Sequence, residues 1–574
     1  MHMKKIYMRY ILLNSIFLLS LLTPVFSQEN RCGTTEASEE LYRDHPELLQ
    51  KQAEYNAILQ QKIAEKQSQR SPNTDQVYII PVVFHVIHTN GNENISDEQI
   101  QDQINILNRD YRKLNADLSG IAKNTPFDTI AADIKIEFRL AQIDPKGNCT
   151  NGIDRIYSQL SNNGGNQSKL NQWPRDKYLN IWTVRSIGAA GVAGFAYFPS
   201  DVSTYLAPYD GIILLSDYIG SIGTSSVYNS RALTHEVGHY LGLYHPWGGT
   251  NSPEVDCSGD DQVADTPPTR GHLSCDLYTP FCTVYNLLNS SYKFSSVTAS
   301  SGTTDPSAVP VNTGATFSAA KAVGVSANSK ENASFAFTNW GIGGDTINHD
   351  TAYAALSGAI NTGKYYEVTI TPTYKHSLTI TKMSFSFKRD STGVRTYAVR
   401  SSLDGFASNL AASVSPANKA IKVQPGNIFF SFYDTTAIQN GSTITIANYK
   451  NQITPVTFRI YGWNAEDATG TFGIDSLTFF GSSGVIENTQ NYMDYSYCSV
   501  MFTKGQKDRM RATLENAMAS RNNLWTTNNL IATGTNGNGQ LCAPVSDFYT
   551  YNPLLCAGQS ITYYSNVLNS MPSA

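Results

Sequence analysis

The stretch His235-Glu236-Val237-Gly238-His239-Tyr240-Leu241-Gly242-Leu243-Tyr244-His245 constrains this chain more than any other part of it. On a helix, His235 and His239 share one face a single turn apart, so both imidazoles reach one metal ion. Glu236 rides the same helix beside them, where it can take a proton from a water held at that ion. Gly242 lets the chain leave the helix through a left-handed turn that a side chain with a Cβ resists. That turn brings His245 back as a third ligand and leaves a fourth position open. Three imidazole nitrogens with an open position describe catalytic zinc rather than structural zinc.

H-E-x-x-H alone arises by chance in many helices. The added Gly and His at fixed offsets remove most accidental matches, and a second element far downstream removes nearly all the rest. That element is Asn491-Tyr492-Met493-Asp494-Tyr495-Ser496-Tyr497-Cys498. Together the two motifs resemble the pappalysin family of the metzincin peptidases, in particular its secreted bacterial members. Asp261-Gln262-Val263-Ala264-Asp265-Thr266-Pro267 and Phe502-Thr503-Lys504-Gly505-Gln506 match as well, so the resemblance covers roughly residues 78–285 and 485–525. It implies an α+β fold, a twisted sheet plus an active-site helix, and a zinc endopeptidase acting on proteins or peptides. His235, His239 and His245 would hold zinc, and Glu236 would be the general base. Met493 would form an apolar floor beneath the metal, and Tyr495 would stabilise the oxyanion. Some bacterial relatives cut beside basic residues using an acidic residue just before the Met-turn cysteine. Here that loop is the shorter Ser496-Tyr497-Cys498, so this preference does not carry over.

At 574 residues the chain is too long for one core, and about three to four domains are expected. Apolar residues make up 41% and charged residues 16%, which suits a globular, β-rich, extracellular protein rather than a disordered one. The net charge of -5 on this length points to no particular partner, and nothing in the sequence suggests nucleic acid. Lys4, Lys5 and Arg9 precede an apolar run from Tyr10 to about Leu22 and then Thr23-Pro24-Val25-Phe26-Ser27. This pattern predicts a signal peptide over 1–27, cleaved before Gln28. The run falls short of the ~20 residues that span a bilayer, so the mature protein is expected to be secreted or at the cell surface, with no membrane span.

Residues 28–70 are helix-prone and charged and end at the breaker Ser71-Pro72-Asn73-Thr74. They read as a propeptide with Arg70–Ser71 as its processing site, or else as a helical arm of the mature enzyme. Eight cysteines in an exported chain should mostly pair, though spacing does not give the connectivity. The resemblance implies Cys257–Cys282 and Cys275–Cys498, with Cys542–Cys556 then a local pair. Two readings remain for Cys32. Its thiolate fills the open zinc position and keeps the enzyme latent, or it pairs with Cys149.

The apolar run Val77 to His88 predicts a buried strand, in which His85 and His88 face opposite ways and cannot share a metal. Ser96 with Gln99 predicts a capping box for a helix whose Ile100, Ile104, Leu107, Tyr111 and Leu114 share one face. Strands are expected at about 134–143, 178–185 and 211–215. The extended segment Gly191 to Tyr197 is placed to pair with a substrate backbone, or is an ordinary edge strand. Asp256, Asp260, Asp261 and Asp265 cluster after the third His. The resemblance implies Ca²⁺ there, with Asp261 and Thr266 matching best; a solvated acidic loop fits the same residues.

The catalytic domain is thus expected over 71–285 and again over 485–530. Between them, residues 286–484 lose the helical pattern and show short alternating runs such as Tyr365 to Ile370 and Ser384 to Phe387, dense in Ser, Thr, Gly and Asn. These predict an inserted all-β sandwich or jelly roll that acts as a spacer or takes a carbohydrate or protein ligand. A linker over 531–541 then leads to 542–574, which resembles the opening strands of a polycystic-kidney-disease-type immunoglobulin-like module. Such a module needs ~80 residues to close. A different class of answer is an adhesin whose function lies in the inserted domain; loss of Glu236 would favour it, and Glu236 is present.

Overall fold

The computed structural model describes residues 31–69, 76–121, 127–189, 191–249, 257–267, 269–280, 282, 286–344 and 352–537, with strands at 545–549 and 564–568. The expected signal peptide, the Arg70–Ser71 processing site, Asp256 and the pair Cys542–Cys556 lie outside these residues.

The first sheet has seven strands. It contains β1 (Arg31–Cys32), β2 (Tyr78–His88), β3 (Ile136–Leu140), β4 (Ile153–Tyr157), β5 (Leu179–Val184), β6 (Val192–Ala196) and β7 (Ile212–Leu215), in the order β1-β6-β7-β5-β2-β3 with β4 also on β2. Strands β2, β3, β4, β5 and β7 pair parallel, and β6 runs antiparallel to β7. A parallel sheet is covered on both faces, which is why β2 reads as a continuous apolar run. Its Ile80, Val82, Phe84 and Val86 join Ile181 and Leu214 in the core beneath the helices, whereas Ile87, Trp182 and Ile213 face the opposite layer. His85 is held by Asp154 and Asn180 at 3.0 and 2.9 Å.

Helix α3 (Asp97–Tyr111) follows α1 (Thr34–Asp44) and α2 (Glu47–Gln69) in the chain. Ser96 caps α3 by accepting from the Gln99 backbone N–H at 3.2 Å. The reciprocal half of the expected capping box is missing. The Gln99 side chain donates to the carbonyls of Ser216 and Ile219 instead, tying the helix to the loop after β7. Ile100, Ile104, Leu107 and Tyr111 are buried as the spacing predicts, but Leu114 is 71% exposed. The helix has ended by then, and Lys113 at φ 53° turns Leu114 off the packed face.

The described residues of 286–485 form two sheets, one of eight strands and one of six, enclosing an apolar core that includes Phe335, Phe387, Val399, Phe429, Phe458 and Phe479. Its first strand, β8 (Asn286–Tyr292), pairs antiparallel with its last, β9 (Phe472–Val485), and Asn286 lies opposite Ser483. Entry and exit are therefore neighbours, so the host loop is interrupted without being stretched. The first lobe then resumes through the Met493 turn and α5 (Lys504–Leu514). Thr503 and Gln506 close a complete capping box on α5 at 3.1 and 2.9 Å. In the last segment, β10 (Val545–Tyr549) and β11 (Tyr564–Leu568) pair antiparallel.

Candidate active site

Helix α4 (Ala232–Tyr240) carries His235, Glu236 and His239, all buried. It stops because Gly242 takes φ +84°, with the Leu243 N–H closing onto the Gly238 carbonyl at 2.9 Å. A Cβ at Gly242 would also press on the Thr513 hydroxyl at 2.9 Å. The turn returns His245 to the other two imidazoles. Their three Nε2 atoms lie 3.1, 3.2 and 3.2 Å apart.

The protons on these rings are set by their other partners. His235 Nδ1 faces the Tyr492 carbonyl and His239 Nδ1 the Leu243 carbonyl, each at 2.8 Å, so both Nδ1 atoms donate. Their Nε2 lone pairs then converge on one point with no proton to bridge them. Nitrogens about 2.0–2.1 Å from a tetrahedral zinc stand roughly 3.3 Å apart, so the donor set fits that ion. Cys32 Sγ supplies the fourth corner. Its ligand atom and the three His ligand atoms all lie within 4.8 Å of one another, and no other group of three or more His, Cys, Asp or Glu is so gathered among the described residues.

Cys32 arrives there because β1 adds parallel to the free edge of β6, with Cys32 opposite Gly194. Its sulfur is a free, buried thiol that accepts from the Thr34 N–H at 3.3 Å. Cys149 is itself disulfide-bonded. The alternative pairing of Cys32 with Cys149 is therefore overturned: strand pairing carries Cys32 to the histidines. Cys257 is joined to Cys282, and Cys275 to Cys498, the latter fastening the Met turn to the loop after the third His.

Burial pushes the Glu236 carboxyl up to about 8. Its Oε2 accepts from the Thr34 hydroxyl at 3.1 Å, and that hydroxyl in turn accepts from the Ala196 N–H at 3.0 Å. Met493 is fully buried, and its sulfur occupies the space that a Cβ on Gly238 would need. The Tyr495 ring stands 5.0 Å from His245 and 5.8 Å from His235, and its hydroxyl donates to the Cys32 carbonyl at 3.3 Å.

Asp261 is 1% exposed. Its Oδ1 accepts from the Val263 N–H and the Thr266 hydroxyl, its Oδ2 has no hydrogen-bond partner, and burial pushes its pKa up to about 8. Asp265 accepts instead from the Thr503 hydroxyl and Gly505 N–H at the start of α5. An orphaned buried carboxylate oxygen suits a cation at Asp261, whereas Asp265 is occupied in capping a helix.

Three residues of this region escaped the sequence reading. Trp247 stacks flat on His245 at 4.6 Å. His272 bridges Asp494 and Glu487 at 2.7 and 3.1 Å, holding the Met turn against the disulfide-bonded loop. Thr34 caps the candidate base. No spacing rule marks the first two. Thr34 follows Cys32 by two positions, and that proximity was the available signal.

The family profile described as Peptidase M43, pregnancy-associated plasma protein-A, matches residues 163–297. An extracellular metalloprotease of Colletotrichum graminicola is 31% identical over 197 residues, 33% of this chain and 57% of its own length. The chain thus spans little more than half of that relative. Another extracellular metalloprotease of the same fungus is 30% identical over 252 residues, 42% of this chain and 72% of its own. Mature mirolysin of Tannerella forsythia, solved with a cleaved peptide, is 35% identical, covering 36% of this chain and 77% of that one at a TM-score of 0.33. No described helix is long and apolar enough to cross a membrane. With 30% identity across 72% of an extracellular metalloprotease, and the family profile spanning all three histidines, the chain belongs to the M43, or pappalysin, family of metallopeptidases.

Proposed function

We propose that the chain is a secreted zinc endopeptidase made as a latent zymogen, with 1–27 as signal peptide, 28–70 as prosegment and 71–285 plus 485–530 as the catalytic domain. The observation that carries this reading is the convergence of three Nε2 atoms, two of them left unprotonated by their Nδ1 bonds, with the Cys32 sulfur, beside a buried Glu236. His235, His239 and His245 would hold zinc, with Cys32 as fourth ligand in the latent form. When bound, zinc would polarise a peptide carbonyl and acidify a water at neutral pH.

Glu236 takes the water's proton on its carboxylate and passes it to the leaving amine; a carboxyl raised by burial is suited to both tasks near neutrality. Tyr495 already donates to a main-chain carbonyl beside the histidines, that of Cys32. In the processed enzyme the same hydroxyl is placed to donate to the carbonyl oxygen of the scissile bond as charge develops there. Met493 fixes α4 from below by filling the hollow at Gly238. The β6 edge, vacated by β1, offers its N–H and C=O groups to a substrate strand. Asp261, with Thr266, is the proposed calcium position.

The test is metal analysis beside proteolysis. The full-length protein should hold one zinc and be silent on casein. Processing should release activity that a chelator removes and zinc restores. A processed protein with one zinc and no activity on any protein or peptide would overturn the reading.

A further inference from the structure

Helix α1 plants one side chain on a catalytic-domain carboxylate. The Tyr42 hydroxyl stands 3.1 Å from both oxygens of Asp201, just past β6. Asp201 has no exposed surface, its Oδ1 also accepts from the Ser200 hydroxyl at 3.0 Å, and its backbone N–H is anchored to the Phe198 carbonyl at 3.0 Å. Tyr42 borders a cavity of about 190 Å³ that is also lined by Phe198, Tyr244 and His245, so the slot is continuous with the metal-site wall. Phe198 packs on Tyr244 at 4.7 Å, giving the slot an aromatic side.

We propose that the slot filled by Tyr42 becomes, once the prosegment leaves, a substrate subsite that selects a tyrosine side chain, with Asp201 reading its phenolic hydroxyl. This rests on the peptidase reading above. A buried carboxylate without a cationic partner among the described residues costs desolvation free energy, which merely anchoring a disposable helix does not require. An apolar contact would anchor as well. Removing Tyr42 leaves Asp201 facing the slot with its oxygens in place, and a phenol restores the bond where a phenyl ring cannot. Sites built to bond a hydroxyl reject the analogue lacking it because the buried acceptor is then left unpaired.

The position follows from geometry. Tyr42 lies eight residues along α1 from Thr34, about 12 Å at 1.5 Å per residue. An extended substrate covers that in roughly three to four residues at about 3.3 Å each. Because β1 runs parallel to β6, α1 leaves on the Ala196 side of the metal site, so the subsite lies on that one side of the scissile bond.

The experiment uses the processed enzyme and a set of fluorogenic peptides with a fixed scissile bond. Tyr, Phe or Arg is moved through the four positions on each side. Tyr should raise kcat/KM over Phe by about 10-fold or more at a single position three or four residues out, the usual scale of a hydrogen bond to a charged group. The Tyr-to-Phe ratio there should fall to near one in Asp201→Leu, which keeps a side chain of similar shape and leaves no acceptor for the phenol. Equal rates for Tyr and Phe at every position, or a preference for Arg at that one, would overturn the proposal while leaving the peptidase reading intact. If no peptide is cleaved, the peptidase reading fails and takes this one with it. A second variant does not depend on Asp201 folding. Tyr42→Phe in the full-length zymogen should shorten the lag before activity appears, and an unchanged lag counts against a slot that reads the hydroxyl.

Discussion

Thr34 holds Glu236: its hydroxyl donates to Oε2 at 3.1 Å while accepting from the Ala196 N–H at 3.0 Å. The segment that brings Cys32 to the histidines therefore also occupies the candidate base. The proposed latency would then have two parts, a thiol at the metal corner and a hydroxyl on the proton acceptor.

The two parts should separate by mutation. Cys32→Ala opens the metal corner, so the zymogen should show early activity and self-processing near Arg70. Thr34→Val frees only Glu236 and should shorten the lag less. Time courses of intact zymogen by gel and by peptide hydrolysis read both. A Cys32→Ala zymogen as silent as wild type would remove the thiol from the mechanism.

Glu236→Gln keeps the shape of the helix and leaves the three imidazoles untouched. Zinc content should stay near one per chain while turnover falls by at least ~10²–10⁴-fold, the usual worth of a positioned general base. Tyr495→Phe removes one donor and should cost ~10²–10³-fold in kcat. A Tyr495→Phe rate equal to wild type would leave Tyr495 a packing partner of His245 and Trp247 only.

What the sequence made legible follows a physical rule. His235, His239 and His245 are fixed by helical pitch and one left-handed glycine, so a string of letters is enough to bring them together. The β2 strand and the apolar face of α3 follow from period and burial in the same way. Contacts set by tertiary docking leave no such mark. Gln99 has the right offset to cap α3, yet its side chain answers to carbonyls at Ser216 and Ile219, 117 and 120 residues away. β4 leaves no such mark either, because four of its residues are partly buried, Tyr157 is exposed, and the strand shows no alternation. His272, Trp247 and Asp201 depend on where loops settle after the core has formed.

The inserted sandwich should be removable. β8 and β9 lie side by side, so a cut at Ser290 and Gly481, which are close across that pair, can be bridged by a short Gly/Ser linker. Glu487 lies beyond the cut and keeps its bonds to Thr269 and His272. The shortened protein should fold, bind zinc and cleave small peptides. Circular dichroism and metal analysis check the first two. An insoluble or metal-free product would show that the sandwich supports the core.

His272 gives a pH dependence with a definite sign. Burial alone would lower its pKa, but the hydrogen bonds and charges of Asp494 and Glu487 outweigh burial and push it up to about 9. In the unfolded chain the imidazole returns to about 6.5. The folded state therefore binds the proton more tightly. Its stabilisation is fully present below about pH 6.5 and is lost as pH rises through about 9. The melting temperature of the wild type should exceed that of His272→Gln most at pH 6, with the gap closing steadily by pH 10. The Met turn carries Asp494 next to Tyr495, so activity at high pH should fall together with stability. A gap that stays constant across this range would mean the bridge is neutral and the Met turn is held by the Cys275–Cys498 link alone.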